Sequence, residues 1–239
     1  PVYTALQLRE VFHLEFLRWL GRKLRSNYYV LKGGVNLRFF FNSFRYSEDM
    51  DLDIQTVKVD VLRDMVMGIL KSVAFQDALK PFGIERVIPP NIVKAKQTQT
   101  TQRLKVHLIA SGEVTLFTKI ECSRRGYRGR VMVESVLDSI LRDYKLAPLL
   151  VPHYDSVSTF EQKVNALARR AVIQARDIFD LYILISQVEP SELRKRIRNK
   201  DSLSIKKAYE NLFEVSFRQF RDTVLPYLIE SDRKMYNAE

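Results

Sequence analysis

At 239 residues and 46% hydrophobic, the chain carries enough apolar material to bury the core of one large domain or two modest ones, which excludes a disordered segment. Its 39 Lys and Arg against 28 Asp and Glu leave a net charge of +11, which favours a polyanionic partner such as nucleic acid and speeds encounter with it. The one cysteine, Cys122, excludes an intrachain disulfide and a multi-cysteine zinc site, and His13, His107 and His153 are too scattered to suggest a metal cluster.

From the N-terminus, Leu8, Val11, Phe12, Phe16, Trp19 and Leu20 recur at steps of three and four, which predicts an amphipathic helix over Leu6–Leu20. Tyr28–Leu31 is a β-favouring run ending at Lys32-Gly33-Gly34, and Val35–Phe41 reads as a helix start, giving the order strand, glycine turn, helix. Met50, Leu52 and Ile54 then alternate with Asp49, Asp51 and Asp53, so three acids share one face of a strand and three apolar residues the other. Val57–Leu79 has helical spacing, Ile84–Ile88 reads as a strand closed by Pro89-Pro90, and Leu104–Ile109 with Val114–Ile120 form a hairpin across Ala110-Ser111-Gly112-Glu113. Beyond Val133 strand signals fade, and Val133–Tyr144, Phe160–Arg170, Arg176–Gln187, Ser191–Arg198 and Ser204–Phe220 read as helices. The expectation is an α+β chain in which residues 1–150 hold a mixed sheet of about five strands with flanking helices and residues 151–239 a helical part. No apolar run approaches the ~18 residues of a membrane span and no basic-then-apolar leader opens the sequence, so a cytoplasmic location without a membrane partner is expected.

Residues two apart on a strand point the same way about 6.5 to 7 Å apart, so Asp49 and Asp51 can hold a hard cation between or beside them, and magnesium favours such carboxylates together with phosphate oxygens. A solvated acidic face on an edge strand would look the same in isolation. Context favours the metal: Gly33 and Gly34 before a helix let backbone N–H groups approach a phosphate where the helix dipole favours anions. Ser47 could bond a phosphate or its own backbone, and Arg45 offers a positive fork nearby. Glu121, following Ile120 and sharing a face with Lys119, is the best-placed third acid, unless it forms a cross-strand salt bridge.

Two stretches, Leu31-Lys32-Gly33-Gly34-Val35-Asn36-Leu37 and Arg45-Tyr46-Ser47-Glu48-Asp49-Met50-Asp51-Leu52, resemble the first motif of the AbiEii/AbiGii toxin family, within the DNA polymerase β-type nucleotidyltransferase superfamily. Phe160–Leu167, containing Lys163, and Arg176-Asp177-Ile178-Phe179-Asp180-Leu181-Tyr182 resemble that family's later motifs, so the resemblance spans roughly residues 28–187. It implies a nucleotidyltransferase core completed by a helical C-terminal part. It further implies a nucleoside triphosphate as co-substrate, Mg²⁺ or Mn²⁺ as cofactor, and a toxin role in a toxin–antitoxin or abortive-infection system with a cognate antitoxin. The favoured acceptor is RNA, above all the tRNA 3′ end, with pyrophosphate released. Val35-Asn36 departs from the Thr-Ala common after the glycines, the second glycine stands where many members carry serine, and the third acid is glutamate instead of aspartate.

On this reading Asp49, Asp51 and Glu121 bind metal, and together with Lys163 they form the catalytic set. Gly33, Gly34, Arg45, Ser47, Lys163, Asp177 and Asp180 serve the nucleotide. One straight helix through Phe160–Gln187 would leave Lys163 and Asp177 about 21 Å apart at about 1.5 Å rise per residue, so a break between Arg170 and Gln174 is predicted. Arg124, Arg125, Tyr127, Arg128 and Arg130 follow Glu121 with the composition of an RNA-gripping loop, and Leu193–Lys200 forms a second basic cluster. Two rival readings stand beside this one: transfer to a protein hydroxyl, and a non-catalytic basic RNA-binding protein on the same fold.

Overall fold

The computed structural model describes residues 3–93, 95, 97–198 and 202–236. Helix α1 (Ala5–Lys23) starts at a capping box: the Gln7 N–H donates to the Thr4 hydroxyl while the Gln7 side chain accepts from the Thr4 N–H. Its apolar stripe, including Leu8, Val11, Phe12, Phe16 and Leu20, is buried. Strand β1 (Tyr29–Lys32) runs without a linker into α2 (Gly33–Phe40), and β2 (Met50–Ile54) follows. The expected helix over Val57–Leu79 is two, α3 (Val59–Lys71) and α4 (Val73–Leu79), parted at Ser72, whose side chain caps the second. Strand β3 (Ile84–Ile88) leads to the long hairpin of β4 (Thr101–Ala110) and β5 (Val114–Ser123), which turns through Gly112 at φ 77°.

The stretch read as a helix from Val133 is different. Residues Val131–Ser135 form strand β6, helix α5 is confined to Asp138–Asp143, and Leu150–Tyr154 forms strand β7, pairing antiparallel with β6. Val136, Ile140 and Leu141, whose spacing suggested one long helix, do reach the core, while Val131 and Val133 satisfy their backbone on β7 instead. Among the described residues the sheet therefore has seven strands, ordered β3-β4-β5-β2-β1-β7-β6, and β7 runs across the expected boundary at residue 150.

Two parallel pairings, β2 with β5 and β1 with β7, sit at the middle of the sheet. One face buries Met50, Leu52 and Ile54 with Ile120 and Cys122 against α1, α3 and α4 in the main hydrophobic core. Each such large apolar side chain contributes roughly 1.5–3 kcal/mol on burial. A one-residue slip of β2 would put its acids into that core, so the same pattern that stabilises the sheet fixes Asp49 and Asp51 on the opposite face.

The C-terminal helices are α6 (Ser156–Arg169), α7 (Ala175–Ile185), α8 (Pro190–Arg198), α9 (Ser202–Leu212), α10 (Phe217–Thr223) and α11 (Glu230–Arg233), of which α6 packs on α7 and α9 and brings Lys163 to the cavity over that opposite face. The expected break falls between Arg169 and Ala175 and folds α7 back against α6. Ser204–Phe220, read as one helix, is parted after Leu212, and Ser216 caps the next helix. Leu184 of α7 joins Leu37 and Phe41 at the end of α2, which ties the helical part to α2. Among the described residues, no helix is long and apolar enough to cross a membrane.

Candidate active site

The passage from β1 to α2 depends on Gly33, at φ +71°, where a side chain would be strained and a Cβ would lie 2.5 Å from Asp51 Oδ2. Asp51 can thus rest against the turn because β1 and β2 pair Lys32 with Asp51 and position 33 is bare. At Gly34 a Cβ would lie 2.8 Å from Ser47 Oγ and 2.9 Å from Arg45 Nη2. Ser47 turns to its own backbone, donating to the Asp49 carbonyl at 2.8 Å, and so fixes the bend into β2.

Sheet register supplies the third carboxylate. Asp51 of β2 stands beside Glu121 of β5, and Asp49 lies one pleat earlier on the same face. Asp49 accepts from the Lys119 backbone N–H at 3.0 Å and pairs with Lys119 Nζ at 2.6 Å, while Glu121 takes Arg103 Nε at 2.6 Å. Among the described residues, no protein group hydrogen-bonds or ion-pairs with the Asp51 carboxylate. Burial pushes its carboxyl above the usual carboxylate range; Lys32 and Lys163 oppose the shift while Glu121 and Asp49 add to it. Asp49, Asp51 and Glu121 line one cavity and are hard oxygen donors of the kind a divalent cation such as Mg²⁺ favours, but with Asp49 turned to Lys119 and Glu121 to Arg103 they do not form a ready-made metal cluster among the described residues. Asp53, the third acid of the strand, is spent elsewhere, between Lys32 at 2.6 Å and the Tyr154 hydroxyl at 2.7 Å.

Across the cavity, Lys163 of α6 reaches Asp180 Oδ2 at 2.6 Å and Asp177 Oδ1 at 3.1 Å, both on α7. Asp180 is fully buried and also takes a forked contact from Arg45, Nη2 to Oδ1 at 2.9 Å and to Oδ2 at 3.0 Å. Burial alone would raise the Asp180 carboxyl, but Arg45 and Lys163 outweigh it and hold the group below its ordinary range. Arg170 Nε lies 3.0 Å from Asp177 Oδ2. The result is a chain of charges, Arg45–Asp180–Lys163–Asp177–Arg170, that anchors the Lys163 ammonium on the cavity wall.

The cavity encloses about 380 Å³ and is walled by Gly33, Gly34, Asp49, Asp51, Glu121 and Lys163, together with Arg45 and Ser47. Asp177 and Asp180 stand behind Lys163 and do not line it. Sequence reasoning gave no site role to six wall residues: Glu48, Arg103, Lys119, Arg170, Arg176 and Tyr227. Glu48 accepts from the Tyr227 hydroxyl at 3.0 Å and pairs with Arg9 at 3.3 Å, so the C-terminal helices close one side of the cavity. Arg176 could have been suspected from the Arg176–Tyr182 segment; the partners of Glu121 and Asp177 depend on tertiary register.

The basic loop after β5 is not part of this wall. The Arg124 guanidinium turns inward to Gln102 and to the Val57 and Lys58 carbonyls, and the Tyr127 hydroxyl donates to the Asn27 carbonyl. The Arg128 and Arg130 backbone N–H groups donate to the Tyr154 and Ser158 hydroxyls, pinning the loop to β7 and α6, while the side chains of Arg125, Arg128 and Arg130 are exposed. Asn199 and Lys200 of the second basic cluster lie outside the described residues.

The fold is similar to that of the nucleotidyltransferase toxin MenT4 from Mycobacterium tuberculosis, with 18% identity, TM-score 0.62, and 95% of this chain matched to 70% of that one. It is also similar to an antigenic nucleotidyltransferase-like protein from Paracoccidioides brasiliensis, at 15% identity, TM-score 0.51 and 97% coverage of both chains. No curated protein matches the sequence. The family model described as the nucleotidyl transferase AbiEii toxin of type IV toxin–antitoxin systems matches residues 16–234, and the chain therefore belongs to the AbiEii nucleotidyltransferase toxin family.

Proposed function

We propose that the cavity transfers a nucleoside monophosphate from a nucleoside triphosphate to an RNA hydroxyl, the 3′ end of a tRNA being the favoured acceptor. The observation that carries this reading is one polar cavity lined by Asp49, by Asp51 in register with Glu121, and by an anchored Lys163. In this reading residues 1–150 form the transferase core, with β7 running across the boundary, and residues 151–239 the helical part that completes the cleft. Location in the cytoplasm and neutralisation by an antitoxin fit a toxin of this family.

Asp49, Asp51 and Glu121 would hold Mg²⁺ or Mn²⁺, which when bound supplies positive charge beside the phosphates. Lys163 neutralises the charge that builds between the α- and β-phosphates. Asp180 and Asp177 aim its ammonium, with Arg45 and Arg170 fixing those two acids in turn. The N–H groups of Gly33 and Gly34, at the start of α2, face the triphosphate. The acceptor oxygen bonds to the α-phosphorus as the bond to the α–β bridging oxygen breaks, so pyrophosphate leaves and the hydroxyl proton passes to bulk water.

The test is incubation with Mg²⁺ and each α-labelled triphosphate in a mixture of total RNA and cell protein. Label is expected on a tRNA-sized band. Label confined to polypeptide would replace the RNA acceptor with a protein hydroxyl, and no label on either would leave a binding protein.

A further inference from the structure

Beyond the cavity, the outer face of the β4–β5 hairpin carries Lys105 and His107, which the transfer reading leaves without a task, beside Arg103 and Lys119, which pair with Glu121 and Asp49. Arg103, Lys105 and His107 alternate along β4 and by register face Glu121, Lys119 and Phe117 of β5. Lys105 is directly opposite Lys119, a pairing of like charges that destabilises a sheet. The two ammonium groups diverge: Lys119 turns to Asp49, while Lys105 Nζ lies 4.3 Å over the Phe117 ring. The His107 ring meets the same Phe117 edge-on at 4.5 Å. Among the described residues, Lys105 has no carboxylate partner.

This face forms one wall of a groove of about 590 Å³ whose other wall is Ile88, Pro89 and Pro90. No Asp or Glu is among its described lining residues, although the chain as a whole carries 28. Arg103 and Lys119 line both this groove and the cavity of the acidic strand, so the two adjoin.

We propose that the groove is an acceptor subsite for the last nucleotides of a single-stranded RNA. A backbone phosphate sits on Lys105, the cation of this face without a carboxylate partner among the described residues, and a base lies between His107 and the Pro89-Pro90 wall, so the terminal hydroxyl is delivered past Lys119 and Arg103 into the cavity. The charge complementarity selects a polyanion, and the flat apolar wall beside it selects one with unstacked bases. The proposal rests on the transferase reading for its direction, since the RNA must end at the carboxylates.

Binding can be read apart from catalysis with a short fluorescent single-stranded RNA bearing a free 3′-hydroxyl, titrated by anisotropy against the full chain without triphosphate. Lys105→Glu is expected to weaken binding roughly tenfold and to lower the salt slope by about one, with a thermal midpoint no lower than the parent's, since it replaces a like-charge pair with Lys119 by an opposite-charge one, and with Lys105→Arg keeping the parent's affinity. In label transfer the same substitution raises KM for RNA and leaves KM for the triphosphate alone. RNA binding by Lys105→Glu within about twofold of the parent overturns the subsite, and so does label transfer to RNA that Lys105→Glu does not impair. Binding that falls as expected in a protein transferring no label keeps the subsite and overturns the transferase reading. Label on polypeptide with no RNA binding overturns the RNA acceptor and the subsite together.

Discussion

Replacing Gly33 by alanine should separate the site from the fold that carries it. The backbone at Gly33 is left-handed, at φ +71°, which costs an alanine roughly 1–2 kcal/mol. In a domain of this size that lowers the thermal midpoint by roughly 2–8 °C, well short of unfolding at room temperature. The larger effect falls on chemistry, because the new Cβ would lie 2.5 Å from Asp51 Oδ2 and 3.3 Å from its Cγ. Asp51 must retreat by about 0.5–1 Å, and displacement of a reacting group by about 1 Å costs on the order of 100-fold in rate. Thermal unfolding followed by circular dichroism and transfer of α-label to RNA measure the two effects separately. Gly68→Ala, in α3 with open space around its Cβ, is the control and should stabilise the fold by about 0.5–1 kcal/mol without changing transfer. A folded Gly33→Ala protein with transfer within about threefold of the parent would refute the placement of Asp51 against the turn.

Asp180→Ala strips the buried Arg45 of its partner and should cost roughly 3–5 kcal/mol in urea unfolding. The double replacement Arg45→Met with Asp180→Leu should regain most of that stability while transfer stays low, since Lys163 loses its 2.6 Å anchor; restored transfer would show that the pair serves folding alone. Lys163→Ala should lower transfer by at least about 100-fold, and an active variant would remove the residue from the site. His13 is buried, with Nε2 2.9 Å from Thr118 Oγ1, and burial, helped by Arg9, lowers its pKa to about 3 from 6.5. The folded state therefore refuses a proton that the unfolded chain accepts, so the stability is fully present above pH 6.5 and drains away as the pH falls toward 3. Between pH 7.5 and 5 the loss should be about 2 kcal/mol larger than in His13→Gln, and equal pH slopes in urea unfolding would contradict it.

Local pattern carried much of the architecture. The period-two run from Asp49 to Ile54 gave the strand, its buried face and its acidic face together, because side-chain direction on a strand depends only on parity. Reach argued for the break after Arg169, since no straight helix could bring Lys163 to Asp177, and the two now lie 3.1 Å apart. What stayed hidden was decided at long range. Strand β7 is five residues long with Pro152 inside it, which reads against a central strand until its neighbours β1 and β6 are known. Arg124 looked like one more cation of a basic loop, yet the Val57 and Lys58 carbonyls and Gln102, distant in sequence, draw it inward. The ion pairs Arg103–Glu121 and Lys119–Asp49 likewise depend on strand register, which no single segment specifies.

The central claim is that the Asp49, Asp51 and Glu121 face drives attack on an α-phosphate. The direct measurement is transfer to RNA from one triphosphate labelled in separate reactions at the α- and γ-positions, with the parent protein and with Asp51→Asn. The account predicts that α-label moves to RNA, that γ-label is released as pyrophosphate, and that Asp51→Asn abolishes the transfer while remaining folded. Movement of γ-label to the acceptor, or undiminished α-label transfer by Asp51→Asn, would contradict it.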